Sequence, residues 1–235
     1  RGVDYHVPAS EYGIHWNFFF TIAGVAALST AADLGPRASV MAGVGALIVY
    51  QALLSYCGLA EYILHAPRVG LFSANREGIL GCVGYLGIHW LSVGLGAIIN
   101  RPHAERQDAH WIAKRLLLVA ALGIGSAQIL DQMGARVSHR ICNLPYAALI
   151  LGVNALVLGL LAFTDLYWPW PRRPMPHVYG GVQESMLATF LLANILTGLI
   201  NLSSRTLLMP SWAALLTVVL YSFLWSTAVG VSHAR

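Results

Sequence analysis

Glu11 and His15 stand four residues apart, directly ahead of an apolar run that begins near residue 16. On a helix that spacing puts both side chains on one face, where a carboxylate can fix the tautomer of an imidazole and raise its basicity, as an acid/base pair requires. Tyr12, Trp16 and Asn17 crowd into the same stretch, EYGIHWN. Three further polar clusters interrupt an otherwise apolar chain. SANREG at 73–78 holds Asn75, Arg76 and Glu77, SHRICNLPY at 138–146 holds Arg140 and Asn143, and NILTGLINLSSR at 194–205 holds Asn194 and Asn201. An unpaired polar group in hydrocarbon costs several kcal/mol by order of magnitude, so such clusters have to be paired or functional.

The elements that hold them are membrane helices. Of 235 residues, 57% are hydrophobic and 10% are charged. That is too little charge to coat a water-facing surface, for which about a quarter is usual. About 20 apolar residues are needed to cross the hydrocarbon core. On that measure the chain predicts an all-α, polytopic membrane bundle of about seven transmembrane helices, near 16–32, 38–59, 78–99, 115–131, 144–164, 186–202 and 211–231. Pro36, Pro67, Pro102 and the WPWPRRPMP stretch at 168–176 fall between spans, as breakers should. No internal repeat divides the chain, which reads as a single membrane domain over 1–235. The first residue is Arg1, and no basic-then-apolar leader precedes the first apolar run, which predicts further chain upstream.

Seven crossings bring all four polar clusters to one membrane face. Arg1, Arg68, Arg76, Arg136, Arg140 and Arg205 lie on that side; Arg37, Arg101, Arg106, Lys114, Arg115, Arg172, Arg173 and Arg235 lie on the other, and their excess favours the other side as cytoplasmic. Within the third span Glu77, Gly81, Tyr85 and His89 recur every four residues as one stripe, and within the sixth Asn194, Thr197, Asn201 and Arg205 do nearly the same. Stripes of this kind face protein or a cavity rather than lipid.

Plainer readings compete at several positions. Trp16, Trp90 and Trp111 fit an interfacial aromatic belt. Gln51, Gln128 and Asn154 fit interhelical hydrogen bonds, and His103 and His110 fit a solvated charged loop. Cys57, Cys82 and Cys142 lack metal-ligand spacing, so no metal site is expected. No GxSxG elbow or P-loop occurs. The net charge of +4 is an ordinary excess for loops beside anionic lipid, and no basic cluster interleaved with aromatics points to nucleic acid.

EYGIHWNFFFT, followed by SANREGI, GYL, RICNLPY and ANILTGLINLS, resembles the C-terminal half of the GPI inositol acyltransferases, the phosphatidylinositol-glycan class W type, from residue 11 to about 204. The resemblance implies a longer protein with about thirteen spans of bilayer length, of which these are the later ones, and partnership with the missing N-terminal spans. It implies a multi-pass endoplasmic reticulum membrane enzyme that moves a fatty acyl group, typically palmitoyl, from acyl-CoA to the inositol of glucosaminyl-phosphatidylinositol. Acyl-CoA would be a co-substrate, with no bound cofactor. His15 and Glu11 would then be the acid/base candidates. Tyr12, Trp16, Asn17, Asn75, Arg76, Glu77, Arg140, Asn143, Asn194 and Asn201 would bind the substrate lipid, since a hydroxyl nucleophile needs a base and a lipid phosphate needs donors. A lipid transporter lined by His89, Asn154 and Asn194, or a noncatalytic scaffold, are the alternatives; the first should show symmetric halves, and none is evident.

Overall fold

A computed structural model describes residues 11–100, 106–167 and 177–233. Every regular element among them is helical: α1 (Phe18–Ala32), α2 (Pro36–Tyr56), α3 (Leu59–His65), α4 (Leu71–Ala74), α5 (Arg76–Ile99), α6 (Arg106–Gln132), α7 (Leu144–Tyr167), α8 (His177–Glu184), α9 (Met186–Ser203) and α10 (Ser211–His233), with a 3-10 turn at Thr206–Leu208. Six of them, α2, α5, α6, α7, α9 and α10, are long and apolar enough to cross a membrane, and α1 is a shorter apolar helix of 15 residues. Large apolar side chains such as Phe19, Met41, Ile48, Leu122 and Ile129 remain exposed along the helices, which suits a lipid environment and not water.

Helix limits follow local chemistry. Asn17 starts α1 by accepting the Phe20 N–H at 3.2 Å, and Asp33 ends it in the left-handed region, φ 43°. Pro36 occupies the first turn of α2, where its missing N–H costs nothing. The start of α7 is held twice: Asn143 Oδ1 accepts the Tyr146 N–H at 3.2 Å, and Gln51 Oε1 on α2 accepts the Leu144 N–H at 3.1 Å. Gln51 is thus an interhelical bond, as its position predicts.

The described chain divides into two compact units, Arg1–Pro169 and Trp170–Arg235. In the first, α5 is central and packs against α1, α2 and α7, while α6 and α7 form a close pair. Small residues permit these approaches. A Cβ on Gly87 would lie 2.5 Å from Leu47 on α2, and one on Gly123 would lie 2.8 Å from the Cα of Gly152 across the α6–α7 seam. One apolar core joins Leu95, Ile112, Leu116, Ala120, Leu151 and Ala155; another joins Tyr50, Leu54, Ile63 and Ile141. In the second unit α8 packs on α10, and α9 pairs with α10.

Candidate functional site

Three polar clusters distant in sequence meet around the N-terminal end of α5. Residues 11–17 run without helix across the α4–α5 junction. Their backbone is stitched there by Ile14 N–H to Ala74 O at 3.0 Å, Gly78 N–H to Tyr12 O at 2.8 Å, and His15 N–H to Asn75 Oδ1 at 2.8 Å. Gly13 makes the crossing feasible: its φ is +131°, and a Cβ there would sit 2.6 Å from the Asn75 Cα. Trp16 lies over Gly78, where a Cβ would be 2.1 Å from its ring, and its Nε1–H donates to Thr21 Oγ1 at 2.9 Å.

Glu77 anchors the second and third clusters together. Its side chain is 0% exposed, and Arg68 grips both oxygens, at 3.0 Å and 2.5 Å, while Arg140 Nη2 donates to Oε1 at 3.1 Å. Arg68 also donates to Ala74 O at 2.6 Å. Two guanidinium groups on one carboxylate leave the group net positive. The Arg140 side chain is 34% exposed, and its enclosed Nε finds no hydrogen-bond partner among the described residues.

Beside that triad lies an aromatic cage. Tyr85, two turns along α5 from Glu77, brings its hydroxyl 3.1 Å from His139 Nε2. The His139 ring meets Tyr12 edge-on at 6.1 Å and Tyr146 at 5.3 Å, and Phe18 closes on both Tyr12 and Tyr85. Burial pushes the Tyr12 phenol above its ordinary range, and the nearby Glu11 charge adds to the shift, so it stays a neutral hydrogen-bonding group. Burial likewise pushes the Cys142 thiol up, against Gly84, where a Cβ would lie 2.1 Å from the Cys142 carbonyl oxygen.

A family model described as GWT1 matches residues 1–232. The chain belongs to the GWT1 family. Among its relatives, an uncharacterized Arabidopsis thaliana protein is 32% identical over 99% of this chain and 53% of its own length. A phosphatidylinositol-glycan biosynthesis class W protein of Dictyostelium discoideum is 31% identical over 95% of this chain and 45% of its own. A GPI-anchored wall transfer protein 1 of Cryptococcus neoformans is 32% identical over the whole of this chain and 44% of its own. The chain thus spans about half the length of the curated relatives it matches.

In this chain the residues singled out from sequence have distinct fates. Glu11 and His15 are both exposed, and they do not share a helix face, because Gly13 turns the backbone between them and α1 begins only at Phe18. Asn17 is a helix cap. Asn75 is spent on His15 N–H and on Leu71 O, the latter at 2.9 Å. Asn143 is spent on Ser138 N–H, Tyr146 N–H and Arg136 O. Arg76 is buried, donating to Ile63 O at 2.7 Å and Ser73 O at 2.8 Å. Tyr12, Trp16 and Arg140 remain partly accessible.

The fourth cluster belongs to the second unit. There Asn194 returns its Nδ2–H to Phe190 O at 2.7 Å, and Asn201 Oδ1 accepts from Thr206 Oγ1 at 3.1 Å at the edge of a mostly apolar cavity of about 270 Å³ between α9 and α10. His89 is exposed on α5, although Glu77, Gly81 and Tyr85 of its stripe turn inward. Sequence reasoning missed Arg68 and His139. The second sits inside a quoted cluster, but no periodicity relates either residue to its partner on α5.

Proposed function

We propose that the protein carrying this chain transfers a fatty acyl group from acyl-CoA to an inositol hydroxyl of glucosaminyl-phosphatidylinositol, in GPI-anchor assembly at the endoplasmic reticulum membrane. The observation that carries the reading is the meeting of EYGIHWN, SANREG and SHRICNLPY on one rim of the α5 bundle, in a chain of the GWT1 family. A rim of that kind offers both halves of what a lipid headgroup requires. Arg140, net positive with Arg68 around a single carboxylate, is the group proposed to meet the phosphate, since guanidinium forks match phosphate oxygens. Tyr12, Trp16, Glu11 and His15 would line the approach, with polar atoms outward and rings against the helices. Asn75, Asn143 and Arg76 support the rim from beneath and hold its backbone in place.

The test is acyl transfer in membranes bearing the full-length protein, with labelled acyl-CoA and glucosaminyl-phosphatidylinositol as substrates. Labelled, alkali-sensitive acyl-inositol product is the expected result. Movement of the lipid across vesicle bilayers without acyl-CoA, with no acylated product when it is supplied, would overturn the reading in favour of transport.

A further inference from the structure

Within that proposed reaction, the geometry points to His139 as the group that takes the proton from the acceptor hydroxyl, through Nδ1, with Tyr85 holding the ring from behind. His139 is exposed while Tyr85 is half-buried, and Nε2 lies 3.1 Å from the Tyr85 hydroxyl, so Nε2 is the ring nitrogen committed to α5. Two edge-on neighbours, Tyr12 on the N-terminal segment and Tyr146 on α7, restrict rotation of the imidazole. No hydrogen bond engages Nδ1 among the described residues, which leaves that nitrogen to an incoming ligand.

The contact with Tyr85 accommodates the tautomer this role needs. A phenol oxygen accepts as well as donates; when it accepts from His139 Nε2–H at 3.1 Å, Nδ1 is left with the lone pair. The loop is positioned for the same purpose. Arg140 is tied to Glu77 at 3.1 Å, and Asn143 binds Ser138 N–H at 3.1 Å, so His139 is held between two anchored neighbours.

The step balances without a further reagent. As the alcohol oxygen bonds to the thioester carbonyl carbon, its proton passes to Nδ1; the C–S bond then breaks, and the imidazolium returns the proton to the leaving thiolate, giving ester and free thiol. Nothing is oxidised or reduced. General-base assistance of this type contributes about 10²–10⁴-fold.

Full-length wild type, His139→Gln, His139→Gly and Tyr85→Phe proteins, matched for amount in membranes, are assayed for acyl transfer with and without added imidazole. His139→Gln should lower kcat about 100-fold with KM for the lipid nearly unchanged. Tyr85→Phe should lower kcat about tenfold, since it loosens the base without removing it. Imidazole should restore part of the activity of His139→Gly in the same preparation, a rescue that a merely structural histidine does not show. A His139→Gln protein within about threefold of wild-type kcat, a loss confined to KM, or a His139→Gly protein deaf to imidazole would overturn the assignment. An active wild type with active His139 variants removes only this base, whereas an inactive wild type removes the acyl-transfer reading together with it.

Discussion

Arg140 Nη2 reaches Oε1 of Glu77 across 3.1 Å, and this contact ties the loop before α7 to the first turn of α5. The carboxylate is fully enclosed and also carries Arg68, while the two arginine side chains are 22% and 34% exposed. Removing the carboxylate leaves both guanidinium groups, and the loop and helix they join, without their shared partner. Glu77→Ala should therefore lose most of its folded protein, read as monodisperse material in detergent, while Arg140→Lys, which keeps a cation near the carboxylate, should lose much less. Equal stability of Glu77→Ala and wild type would mean that the triad does not hold the rim together.

Gly78 sits under Trp16 with no room for a methyl group. Gly78→Ala should lift the indole and free residues 11–17, which protease cleavage within that stretch would report, at a rate well above wild type. Gly13→Ala should do the same through its backbone, because an L-residue resists φ near +131° and its Cβ would press on Asn75. An uncleaved segment in both variants would show that other contacts keep it docked.

Asn143 spends its whole side chain on the loop and the start of α7. Asn143→Ala should cost about 1–2 kcal/mol as a lost cap with its companion bonds. Asn143→Asp keeps both acceptor bonds and loses only the donor to Arg136 O, so it should fall between wild type and Ala in thermal denaturation. The reverse order would place the importance of Asn143 in its donor.

Cys142 gives a pH dependence with a definite sign. Its thiol is pushed up by burial, so above about pH 8.5 the unfolded chain releases this proton while the folded chain keeps it. Folding stability from this group is therefore complete below the unfolded pKa and declines as pH rises beyond it. Between pH 7 and 10, wild-type Tm should drop more steeply than that of Cys142→Ala. Maleimide at pH 7.5 should label exposed Cys57 and spare Cys142 until denaturant is added.

Much of the bundle was legible because membrane spans are written as long apolar runs. All seven predicted spans contain helices, and the boundaries lie close to those expected except that α6 begins at Arg106 and not near 115; the turn of Pro36 and the bonding of Gln51 follow from residue type. The clusters were legible as well, since Glu77 or Asn143 stands out in apolar surroundings. Their partners were not. Glu77 meets Arg68 nine residues away across a non-periodic turn, and Arg140 from a different loop, and neither separation leaves a mark in the sequence. The helical pairing of Glu11 with His15 failed because a single glycine outweighs spacing: Gly13 adopts a conformation that no helix contains. The short helices α3 and α4 were invisible, for seven and four residues carry too little pattern to detect.

The brevity of α1 bears on the lipid around this rim. Its 15 residues rise about 22 Å, against the roughly 30 Å of a hydrocarbon core, and it packs along α5, which at 24 residues rises about 36 Å. Mismatch on that scale makes neighbouring acyl tails shorten or splay and draws headgroups inward at that flank. A bulky glycolipid resting in such a dimple would stand nearer to Tyr12 and His139 than it would on a leaflet of ordinary thickness.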